Sequence, residues 1–97
     1  MDTAQLQEAA AQLCREIRAH LEQRGAALSE AVRSYPTPIA RCDEQLPGLL
    51  ESRREVMQLL EESDATLVEA FAAAAVRWDD PAALSLVARA QRVRQAS

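Results

Sequence analysis

The sequence predicts an all-α protein: a long antiparallel helical hairpin followed by two shorter C-terminal helices, completed as a helical bundle by dimerisation. Three observations carry that expectation. Apolar residues recur at three- and four-residue intervals along two long stretches, the period of one helix face. Three of the four prolines fall in one segment, SYPTPIARCDEQLPG at 34–48, which interrupts a chain otherwise built from Ala, Leu, Glu, Gln and Arg. A large part of the 48% hydrophobic content is alanine, and one Phe, one Trp and one Tyr are the only aromatic fillers. A core of that kind comes from aliphatic stripes on helices and is thin for one small domain of 97 residues.

The first helix is expected from Asp2 to about Ser34, capped by Asp2 or Thr3. Its stripe reads Leu6, Ala10, Leu13, Ile17, then past His20, Leu21 and Arg24 to Leu28, Ala31 and Tyr35. Gly25 costs about 1 kcal/mol relative to alanine inside a helix and marks a soft point. The corner falls at 35–38, because Pro36 and Pro38 lack the backbone donor and push the preceding residues out of the α region. Thr37 and Pro38 then suit the start of a second helix, from Pro38 to about Glu62, with a kink or a stop and restart near Pro47. Its seam is Ile39, Cys42, Leu46, Leu49, Arg53, Val56 and Leu60.

Folding the hairpin at 2–62 about that corner pairs the seams in layers: Leu13 with Leu60, Ile17 with Val56, His20 with Arg53, Arg24 with Leu49, Leu28 with Leu46 and Ala31 with Cys42. Ser63 and Asp64 offer a cap for a third helix at about 64–79, carrying Leu67, Val68, Phe71, Ala75 and Trp78 on one side. A break before it is favoured over one continuous rod. Asp79-Asp80-Pro81 is a firmer boundary and caps a fourth helix at about 81–95, with Leu84, Val87 and Ala88 as packing residues. The short helices cannot cover both long ones, so the half of the first helix near Leu6 and Leu13 is expected to stay exposed unless a second copy or another protein buries it.

Composition narrows function by exclusion. The formal charge is −4, which disfavours general affinity for nucleic acid or anionic membranes. All eleven basic side chains are arginine and asparagine is absent, a bias that fits a GC-rich, bacterial coding sequence. The N-terminus has no cationic and apolar secretory pattern, and no apolar run is long enough to span a bilayer, so a cytoplasmic protein is expected.

Several residues are of types that carry chemistry. In the hairpin Cys14 and Cys42 lie about 25 Å apart, and His20 faces away from Cys14, so no metal, cofactor or disulfide is expected. Arg41 would lower the Cys42 thiol pKa while Asp43 and Glu44 would raise it, and Cys42 reads first as a small packing residue. His20 and Arg53 read as a register-setting polar layer, with an anion site including Arg24 as the functional alternative. Trp78 and Phe71 read as core, or else as partner anchors. Arg89, Arg92 and Arg94 make a basic tail that the helix dipole alone accounts for.

The function expected first is a small protein–protein interaction module: a homodimeric adaptor, accessory subunit or chaperone-like protein. The alternative is a small helical enzyme or ligand-binding protein, with its site at Tyr35, Arg41, Cys42 and Asp43 or at His20 and Arg53. A third is a DNA-associated regulator such as an antitoxin, contacting DNA through the arginine tail.

Overall fold

A computed structural model describes residues 2–34 and 42–96, without the side chains of 42–46; the expected corner at 35–38 lies outside the described residues. These residues form four helices and no strand: α1 (Thr3–Arg33), α2 (Cys42–Leu60), α3 (Asp64–Ala75) and α4 (Pro81–Gln95). No described helix is long and apolar enough to cross a membrane.

Local chemistry sets most of the boundaries. Asp2 closes a capping box on α1: its carboxylate accepts from the Gln5 amide at 2.8 Å, and the Gln5 side chain accepts from the Asp2 amide at 3.3 Å. At the start of α4 the Asp80 carboxylate accepts from the Ala83 amide, with Pro81 at the first helical position. α2 runs through Pro47 as one helix, without the stop and restart the sequence suggested.

The break between α2 and α3 is real. The amides of Glu61 and Glu62 turn back to the carbonyls of Gln58 and Leu59, the tighter pattern that ends a helix. Arg18 of α1 then takes up carbonyls that the helix end leaves without partners. Its guanidinium donates to Leu60 O at 3.2 Å, to Glu62 O at 2.8 Å and to Asp64 Oδ1 at 2.8 Å.

α3 ends at Ala75, four residues earlier than expected, and Trp78 sits in the link to α4. The link has to turn the chain back and present Asp80 in extended geometry before Pro81, which the helix could not do had it continued. Trp78 nevertheless packs edge-on to Phe71, ring centroids 5.8 Å apart.

The core gathers Leu13, Cys14, Ile17 and Leu21 of α1, Val56 and Leu59 of α2, Leu67, Phe71, Ala74 and Ala75 of α3, Trp78, and Ala83 and Ala90 of α4. Two expectations about packing are corrected here. Leu13 is 2% exposed, covered by its own chain, whereas Leu6 is half-buried and Ala10 exposed, so the bare part of this half is confined to the residues before Leu13. Leu84 is 45% exposed; α4 instead packs through Ala83, Leu86, Val87 and Ala90.

The register of α1 against α2 also departs from the expected layers. Val56 lies against Gly25, where a Cβ would come within 3.3 Å of Val56 Cγ1, rather than opposite Ile17. Leu60 meets Arg18, for which position 55 was expected. Across these contacts the α2 residue numbers fall as the α1 numbers rise. The layers assumed a tight corner centred at 36 and 37; the observed register places the broad aliphatic Val56 where α1 has no side chain. The α1 glycine thus marks a close approach of two helices, not a soft point alone.

Burial is uneven along the molecule, which measures 57 × 18 × 17 Å. α3 and α4 lie against the N-terminal two-thirds of α1: Asp64 beside Cys14, Phe71 beside His20, Asp80 beside His20 and Arg24, Arg89 beside Glu16. Beyond the Gly25 and Val56 level no described residue of α1 or α2 is buried. Leu50 and Met57 on α2 are exposed by 40% and 56%.

Candidate functional site

Two helices, α1 and α2, and the α3–α4 link bring polar side chains together at one level of the bundle. Asp80 accepts from His20 Nε2 at 2.8 Å and from Arg24 Nη1 at 3.3 Å, besides capping α4. A carboxylate can only accept, which assigns the proton on Nε2 to His20. The three side chains are less than a quarter exposed. Arg24 also lies over the Trp78 ring, 4.1 Å from its centroid, and its Nε is buried without a hydrogen-bond partner among the described residues. The Trp78 indole donates to Glu55 of α2 at 2.8 Å, and Glu55 accepts in turn from Arg77 at 2.6 Å.

This layer ties every element of the bundle to the link. Burial pushes the Asp80 carboxyl up, and it is outweighed by the hydrogen bonds from His20 and the Ala83 amide and by the charges of His20 and Arg24, which hold it below the usual carboxylate range. The acceptor capacity of Asp80 is taken by groups of its own chain, so the cluster acts as a lock. On its solvent side a shallow groove between α1 and α4 shows His20, Gln23 and Ser85.

The predicted site residues separate. His20 and Arg53 do not form a layer: His20 faces Asp80 and Phe71, whereas Arg53 lies on the outer face of α2 with Leu50 and Met57. The reason is the register, which carries Arg53 past the level of His20. The anion site proposed for Arg53, Arg24 and His20 falls with it. Trp78 is buried core that also makes a polar contact. Tyr35 and Arg41 lie outside the described residues; Cys42 and Asp43 open α2, with side chains outside the description.

The other thiol is packing. Cys14 is 5% exposed, and burial first, then the charge of Asp64, raise its pKa against a smaller opposing effect of Arg18. Among the described residues no group of three His, Cys, Asp or Glu side chains is placed to hold a metal ion. In the arginine tail, Arg89 is bound through both terminal nitrogens to Glu16, an interaction that lowers the Glu16 pKa and raises that of Arg89.

A second region stands out for what it exposes. Leu50, Arg53, Arg54, Met57 and Gln58 of α2, with Glu61 in the turn that follows it, line one open depression. Arg54 pairs with Glu51 on the same helix, while Arg53 and Glu61 make no side-chain interaction among the described residues. Their spacing is visible in the sequence, but the same three- and four-residue pattern puts Arg53 on the inner seam. Arg18, Glu55 and Asp80's role as an ion-pair acceptor were missed, since each depends on a partner more than twenty residues away. Comparison with protein-family models, with curated proteins and with solved structures finds no match to this chain.

Proposed function

We propose that this chain is a helical protein–protein interaction module, working as a homodimeric adaptor, accessory subunit or chaperone-like protein. In this reading α1 and α2 form a long hairpin, and a second copy covers the length of it that α3 and α4 leave bare. One observation carries the proposal: among the described residues the core stops at the Gly25 and Val56 level, and the α2 face nearby leaves Leu50 and Met57 exposed. Apolar residues aligned on one helix face and flanked by charge fit helix-to-helix association better than a reaction site.

Neither alternative has comparable support. An enzyme built on His20 would need a group that Asp80 already occupies. A DNA contact through the tail loses Arg89 to Glu16. The reading is tested by light scattering on the purified chain over a range of concentrations. A mass of two chains is the expected result, and a single-chain mass throughout would defeat the homodimer.

A further inference from the structure

We propose that the outer face of α2 is the dimer interface, pairing antiparallel with the same face of a second copy across a two-fold axis near Met57. This rests on the homodimer reading and specifies its surface. Met57 is the most exposed large apolar residue among the described side chains of α2, and Leu50 extends the apolar strip two turns toward the helix N-terminus.

The charges around Met57 are arranged for self-pairing. Arg53 lies four residues before it and Glu61 four residues after it, both on the Met57 face and neither with a side-chain partner among the described residues. A two-fold axis at Met57 reverses the helix, so Arg53 of each copy comes to the level of Glu61 in the other. That is the condition a symmetric interface demands, each contact made twice. When helices cross with their four-residue ridges interleaved, Arg53 meets the opposing Glu61. When they lie closer to antiparallel, Arg54 does, releasing its exposed pair with Glu51. A parallel pairing would instead stack Arg53 and Arg54 on their own copies. Among the described residues, none from another helix lines the depression.

Charge reversal tests this face. Two variants, R53E/R54E and E61R, are each expected to raise the dimer dissociation constant by about tenfold or more, because each makes both symmetric contacts like-charged. Mixed in equal amounts they regain opposite charges at both contacts, so a heterodimer should form with affinity near that of the unmodified chain. Helical circular dichroism on each variant checks the fold, and M57R supplies a third disruption by placing two cations at the axis. A dimer unchanged by all three variants overturns this face while leaving the homodimer reading intact. Variants that dissociate but do not recover on mixing overturn the antiparallel register. An unmodified chain that stays single defeats the homodimer reading itself.

Discussion

The two ends of this molecule share α1 and α2 but hold them by different means. At the end containing the chain termini, α3 and α4 join the two long helices, and every described buried side chain lies there. At the other end, none of the described residues of α1 beyond Gly25 or of α2 before Val56 is buried. Periodicity is equally good in both halves of each helix. What differs is the number of elements available to enclose the stripe, so an amphipathic pattern predicts a face and leaves open what covers it.

The sharpest way to break that comparison is to truncate side chains in both ends. Phe71→Ala, at a fully buried position, is expected to cost about 3–5 kcal/mol in denaturant unfolding, whereas Leu49→Ala should cost about 1 kcal/mol or less. Equal losses would mean that the outer end is as well enclosed as the bundle.

Asp80→Ala comes next, at about 2 kcal/mol, because it removes the α4 cap and leaves Arg24 and His20 without their acceptor. The neighbouring Asp79 is exposed, and Asp79→Ala should change stability by less than about 0.5 kcal/mol. The Asp80 carboxyl is depressed in the folded state, so its contribution is full above the ordinary value of 3.8 and fades as pH falls through the lower folded value. Asp80→Asn should therefore flatten the acid limb of the stability curve below about pH 4.

Arg18→Ala should cost about 1 kcal/mol, since the guanidinium is partly exposed while the carbonyls it serves end α2. Hydrogen exchange should quicken first at Glu61 and Glu62, the break itself. The smallest expected effect sits at the boundary between the two ends. Gly25→Ala gains helix propensity of about 1 kcal/mol but presses a methyl group against the fully buried Val56, and the two should nearly cancel. In a Val56→Ala background the same substitution should stabilise by about 1 kcal/mol, a coupling that a double-mutant cycle measures directly.

Legibility in the sequence followed the range of the interactions. The Asp2 cap, the Asp80-Pro81 start of α4 and the Ser63 break all depend on residues within four positions, and the helices begin there. The core face of α3, Leu67, Phe71 and Ala75, was readable for the same reason. Register was not, because it depends on the connection between α1 and α2 and on which side chains meet across it. The pairing of His20 with Arg53 failed on that point. Arg18 and Glu16 looked like ordinary solvated charges, since nothing near them in sequence marks Leu60, Glu62 or Arg89 as partners.

Trp78 is the chain's single tryptophan, and it is held among Phe71, Arg24 and Glu55 at the meeting level of the bundle. Its emission therefore reports the melting of one end alone, while far-ultraviolet dichroism sums helix from both. Overlaying the two traces during thermal unfolding would show whether the narrow end frays before the wide end lets go.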